Sequence, residues 1–143
     1  MKVKIIYATE VGTTKYVAEL LQKELVAANH PTDLHQLGTN GFSPKLEGYD
    51  VLLFGSPTYY DGLPQTNMSR YISEFAGTLQ PYKIGIFSLG DSGYAHFCGS
   101  ADVLESWVAD NQGKLVVPTL KIDGYPKQIE PLAAWIKQLL ATG

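Results

Sequence analysis

The sequence predicts a doubly wound α/β fold, three layers deep, with a five-stranded parallel sheet between two layers of helices. Three observations predict it. Short extended runs alternate strictly with helical stripes along the chain. The clearest of these runs are apolar throughout rather than alternating with polar residues, which is the pattern of strands buried on both faces. The polar segments that leave the first, third and fourth runs are rich in Gly, Thr, Ser and Tyr, unlike the segments on the opposite side. With 143 residues, 45% of them apolar, the chain suffices for one continuous core and is short for two. No repeat or linker interrupts it, so residues 1–143 read as a single domain.

The first run, Val3 to Ala8, is apolar and partly β-branched and closes at a polar segment containing Gly12. Val17, Leu20, Leu21, Leu25 and Ala28 then recur at helical spacing until Asn29-His30-Pro31 stops them. Thr32 to Leu37 alternates weakly, as an edge strand does, and residues 38–48 have loop composition. Val51 to Phe54 is the clearest interior strand, expected to break at Gly55-Ser56-Pro57. Met68, Tyr71, Ile72 and Phe75 mark the second helix, and Lys83 to Leu89 the fourth strand. Val103, Leu104, Trp107 and Val108 mark the third helix. An extended stretch from Lys114 to Ile122, interrupted by Pro118, supplies the fifth strand. Ile129, Leu132, Ala133, Ile136, Leu139 and Leu140 form the apolar face of the last helix.

Composition excludes several functions. The net charge is −3, and Arg70 is the sole arginine, so the clustered cations that bind nucleic acid are missing. A single cysteine, Cys98, allows neither an internal disulfide nor a zinc site built on paired thiolates. The apolar run at Met1 to Tyr7 is too brief for a signal peptide or a membrane span, so a cytoplasmic protein is expected.

In open parallel sheets, ligands bind at the carboxyl ends of the strands, where the strand order reverses. Three loops meet there. The first, Thr9, Glu10, Val11, Gly12, Thr13 and Thr14, places hydroxyls, backbone N–H groups and a helix N-terminus at one spot, which favours a phosphate. It carries neither the lysine of a nucleoside-triphosphate loop nor a Gly-x-Gly-x-x-Gly pattern. The second, Ser56 to Pro64, contains Ser56, Pro57, Thr58, Tyr59, Tyr60 and Asp61 and puts two tyrosines at the mouth of the sheet, where they suit stacking on a planar ligand. The third, Leu89 to Cys98, adds Tyr94 and Asp91 at the same edge. Together they describe a phosphorylated, flat, aromatic ligand.

The segment Gly90-Asp91-Ser92-Gly93-Tyr94-Ala95-His96-Phe97-Cys98-Gly99 resembles the Gly-Asp-x-x-Tyr-x-x-Phe-Cys loop of the flavodoxins. Ser56-Pro57-Thr58-Tyr59 resembles that family's Pro-Thr-aromatic loop, and Leu120-Lys121-Ile122-Asp123-Gly124 its short-chain fifth strand. The resemblance runs the length of the chain. It implies a sheet of order 2-1-3-4-5, a bound flavin mononucleotide (FMN), and electron carriage by a monomer. The donor would be a flavodoxin/ferredoxin-NADP reductase or similar protein and the acceptor a redox enzyme, each met transiently, with no nucleic acid and no membrane as partner.

By the same resemblance, the first loop holds the phosphate without a counter-ion. Tyr59 lies on the inner face of the flavin ring, with Tyr60 as its rival, and Tyr94 on the outer face. Asp91 with the backbone of Leu89 and Gly90 meets the ring's polar edge, and Ser56, Asp61, Phe97 and Cys98 complete the implied cofactor-binding set. Two positions depart from the family pattern. Val11 stands where the family has Thr or Ser, so one hydroxyl contact to phosphate is missing, and weaker FMN retention is expected. Tyr60 stands where many members have Gly or Asn, whose peptide turns over to stabilise the one-electron-reduced flavin. Residues other than Gly and Asn make that turn at a cost.

No catalytic residue is assigned. His96 lies in a loop near Asp91 without a convincing partner, Cys98 reads as a small buried hydrophobe, and Ser56, Ser88 and Ser92 lack the pattern of an activated nucleophile. A phosphorylated signalling receiver shares the expected topology, but Tyr7-Ala8-Thr9 and Phe54-Gly55-Ser56 lack the acids it needs for magnesium. An FMN-dependent reductase of small molecules such as quinones is the alternative to a carrier.

Overall fold

The computed structural model describes residues 1–124 and 130–142. In chain order the elements are β1 (Val3–Tyr7), α1 (Thr13–Ala27), β2 (Thr32–Gln36), β3 (Val51–Pro57), α2 (Thr66–Glu74), β4 (Lys83–Gly90), α3 (Gly99–Asp110), β5 (Lys114–Leu115), β6 (Leu120–Asp123) and α4 (Glu130–Leu140). All strand pairs are parallel, in the order β2-β1-β3-β4-β5, with β6 also on β4. The doubly wound fold expected from the alternation of elements is therefore present. The order reverses between β1 and β3.

The interior strands bury both faces, and their side chains alternate between two cores. Val3, Ile5, Val51, Leu53, Phe87 and Leu89 pack with Leu21 and Leu25 of α1 and with Leu132, Trp135 and Leu139 of α4. Ile6, Leu52, Phe54, Ile84 and Ile86 pack on the other side with Met68 and Tyr71 of α2 and with Leu104, Trp107 and Val108 of α3. Here Phe54 meets Trp107 edge-on at 5.1 Å between ring centroids. Among the described residues no helix is long and apolar enough to cross a membrane.

Two strands differ from expectation. β3 does not break after Phe54 but runs on to Pro57, pairing Ser56 with Ser88 and Pro57 with Leu89. Gly55 is not a breaker here: a Cβ at this position would overlap the Phe87 ring, so glycine is what lets the neighbouring strand place that ring over it. The fifth strand is divided. Pro118 has no N–H to give the ladder, so β5 pairs at Ile84 and β6 only from Phe87 onward. The freed Pro118 carbonyl accepts a 2.8 Å bond from the Trp135 indole N–H of α4. Ile129, expected on the last helix, lies outside the described residues.

Candidate functional site

At the carboxyl end of β1 the chain turns through residues 8–12 into α1. The Thr9 hydroxyl accepts from the Gly12 N–H at 3.1 Å, closing the turn. Gly12 takes φ of 96°, a left-handed conformation open to glycine at little cost. Among the described residues no side chain caps α1. Thr14, in its first turn, is 1% exposed, and its Oγ1 is buried without a hydrogen-bond partner. A buried, unsatisfied hydroxyl costs about 1–3 kcal/mol and is uncommon in folded proteins. An anion in front of the turn would accept from this hydroxyl and from the uncapped N–H groups together, on the positive end of the helix dipole.

That turn forms one wall of a cavity of about 290 Å³ lined by Glu10, Val11, Thr13, Thr14, Pro57, Thr58, Leu89, Gly90, Asp91, Tyr94 and Gly124. Among the described residues no lysine or arginine lines it, so neutral donors and the helix end would hold a phosphate there. The opposite wall rests on a ladder of buried hydroxyls. The Thr58 hydroxyl donates to Ser100 Oγ at 2.9 Å and accepts from the Ser100 N–H at 3.2 Å. Ser88 and Ser100 lie 2.6 Å apart, and Ser100 also donates to the Ser56 carbonyl. This ladder joins the ends of β3 and β4 to the start of α3.

The third loop is fixed from two sides. Asp91 Oδ1 accepts from the Gly93 N–H at 2.8 Å, an Asx turn that presents Tyr94. Asp123, at the end of β6, accepts from the Ser92 N–H at 2.9 Å, and the Gly124 N–H donates to the Gly90 carbonyl at 2.7 Å. Hydrogen bonding by Ser92, through its side chain and then its backbone, holds the Asp123 carboxyl below the usual carboxylate range.

Ten of the residues named from the sequence line the cavity itself: Glu10, Val11, Thr13, Thr14, Pro57, Thr58, Leu89, Gly90, Asp91 and Tyr94. Thr9 and Gly12 shape its first turn from behind. The side chains of Ser56 and Cys98 are buried, Ser56 accepting from the Gln65 N–H and Cys98 donating its thiol to the Ser88 carbonyl. Burial pushes the Cys98 thiol pKa up, which matches the expected inert hydrophobe. Tyr59 is half-buried and its hydroxyl reaches Glu10, whereas Tyr60 is 80% exposed. Asp61 caps its own turn by accepting from the Leu63 N–H, and Phe97 is exposed. Sequence reasoning missed Gly124 as a wall residue and Gln65 as a support. For Gln65 the available signal was its place just before a helical stripe, where it caps α2 by accepting from the Asn67 N–H.

A doubly wound sheet with a lysine-free anion turn and aromatic loops at its switch point defines a binding protein for a phosphorylated, planar ligand. The flavodoxin family model matches residues 5–135. The chain is 31% identical over 137 residues to a flavodoxin of Nitratidesulfovibrio vulgaris, covering 93% of each chain. It superposes on Flavodoxin 2 of Bacillus cereus with a TM-score of 0.90 at 25% identity, each chain covered in full. It shares its fold with the FMN-bound flavodoxin of Fusobacterium nucleatum, with a TM-score of 0.77 at 17% identity over 98% of this chain and 97% of that one. The chain belongs to the flavodoxin family, whose members are FMN-binding electron-transfer proteins.

Proposed function

We propose that this chain carries low-potential electrons in the cytoplasm from a flavodoxin/ferredoxin-NADP reductase, or a similar donor, to an acceptor redox enzyme, as a monomer meeting each partner transiently. One observation carries the reading. Five of the seven exposed large hydrophobic side chains among the described residues, Val11, Tyr60, Leu63, Tyr94 and Phe97, belong to the three loops around the cavity. Exposed apolar groups gathered at one mouth mark a contact surface. The acids Glu10, Asp61, Asp91 and Asp123 stand among them on the surface, which suits brief, salt-sensitive contact with a basic partner.

FMN, when bound, supplies one- and two-electron redox chemistry. The chain's own contributions are positional. Thr14 and the N–H groups at the start of α1 would hold the phosphate. Pro57, Thr58, Leu89 and Gly90 would floor the ring, with Tyr59 and Tyr94 as its two aromatic faces. The nearby carboxylates place negative charge at the ring edge, which opposes added electrons there and lowers the potential.

The test is reduction by NADPH of the purified, FMN-loaded protein. Reduction only after addition of a reductase, with rates that fall as salt rises, is the expected result. Rapid NADPH oxidation with a quinone and no reductase would overturn carriage in favour of a small-molecule reductase.

A further inference from the structure

The Glu10 carboxylate uses a single oxygen for two partners in another loop. Its Oε2 accepts from the Tyr59 hydroxyl at 3.1 Å and from Gln65 Nε2 at 3.0 Å. The Gln65 amide is oriented without ambiguity. Its Oε1 accepts from the Asn67 N–H at 2.6 Å, so its NH₂ group faces Glu10, and its backbone N–H is held by Ser56 Oγ at 3.1 Å. Gln65 is 6% exposed and held by these bonds between β3 and α2. The Tyr59 hydroxyl, while donating to Glu10, is met by Thr66 Oγ1 at 3.1 Å and accepts from the Thr66 N–H at 3.3 Å. The chain separations are 55 residues for Glu10 and Gln65 and 49 for Glu10 and Tyr59. The anion turn and the aromatic loop are therefore joined by one carboxylate.

From this geometry we infer that Glu10 is a positioning residue: it clasps the phosphate-binding turn to Tyr59, so that seating the phosphate and seating the inner aromatic ring are one event. The inference rests on the FMN reading above and assigns the inner ring to Tyr59, since Tyr60 has no such anchor among the described residues. It also explains an acid in a turn built for an anion. A free carboxylate there would repel phosphate, whereas this one is engaged by two donors of the neighbouring loop.

The sign of one substitution separates clasp from repulsion. Glu10→Ala removes both; a clasp predicts FMN binding weaker by about tenfold, and repulsion predicts tighter binding. Glu10→Gln removes the charge but keeps one carbonyl oxygen, which is all the two bonds use, and should return affinity to within about threefold of the parent. Tyr59→Phe keeps the ring and loses the hydroxyl. In a double-mutant cycle read by flavin-fluorescence quenching, Glu10→Ala combined with Tyr59→Phe should bind no more weakly than the worse single variant. The apoprotein gives a readout without flavin: hydrogen exchange of the Thr66 amide should quicken in Glu10→Ala and Tyr59→Phe alike. Multiplying effects in the cycle, tighter binding by Glu10→Ala, or an unchanged Thr66 amide would each overturn the clasp. If the parent protein binds no FMN at all, the functional reading fails instead, and the Thr66 exchange still tests the clasp.

Discussion

Gly99, the first residue of α3, lies so close to Gly62 that a Cβ on Gly99 would come within 2.7 Å of the Gly62 carbonyl oxygen. This is where the second loop touches the element that follows the third. Gly62 itself has φ of 87° and turns the second loop back toward Pro64. Gly99→Ala therefore forces the second loop outward or strains it, at about 1–3 kcal/mol. The expected outcome is a lower thermal midpoint together with weaker FMN binding, while far-UV circular dichroism stays that of the parent. Unchanged affinity would mean that the contact does not shape the site.

Thr14 gives a prediction of opposite signs. Its hydroxyl is buried and unpartnered without ligand, so Thr14→Val replaces an unsatisfied donor by a methyl of the same shape. The apoprotein should gain about 1–3 kcal/mol in urea unfolding. The same variant should lose roughly tenfold or more in FMN affinity, because the hydroxyl is then missing when phosphate needs it. Equal stability of the two apoproteins would show that the hydroxyl is satisfied by other means.

Val11 is 88% exposed and lines the cavity, so a hydroxyl introduced there disturbs no core. Val11→Thr should tighten FMN binding by roughly tenfold or more, the value of a hydrogen bond to a charged group. A fluorescence titration showing no gain would remove the missing hydroxyl as a determinant of FMN affinity.

How much of this was legible in the sequence depends on whether a residue acts through its neighbours in the chain or through distant ones. β1 and β3 were readable because burial on both faces imposes an apolar run. The anion turn was readable because Thr9 and Gly12 close it locally. The extension of β3 past Gly55 was not, since it depends on a Phe87 ring from the next strand. Gln65 and Asp123 escaped for the same reason: their partners, Glu10 and Ser92, lie 55 and 31 residues away. The divided fifth strand was half legible, with Pro118 marking the interruption and Trp135 stabilising it from the far end of the chain.

Acid should loosen the third loop. Ser92 holds the Asp123 carboxyl below its ordinary value of 3.8, so the folded state favours the ionised form. The resulting stability is fully present above that value and is lost as pH falls through the lowered folded value. Asp123→Asn keeps an acceptor for the Ser92 N–H but has no proton to gain. The difference in stability between parent and variant should therefore be constant above pH 4 and shrink below it. A difference that persists unchanged to about pH 2 would show that the Ser92 contact does not depend on charge.

The uncapped start of α1 has a consequence for the protein's life in a cell. Part of the folding free energy is left to be supplied from outside the chain, and mass action sets how much. Free FMN at a thousand times its dissociation constant adds about 4.1 kcal/mol to the folded state, and scarce FMN adds almost nothing. Because proteases remove the unfolded fraction, the steady amount of this protein should follow the supply of flavin as well as the rate of its own synthesis. An uncapped binding turn makes abundance a readout of nutrition.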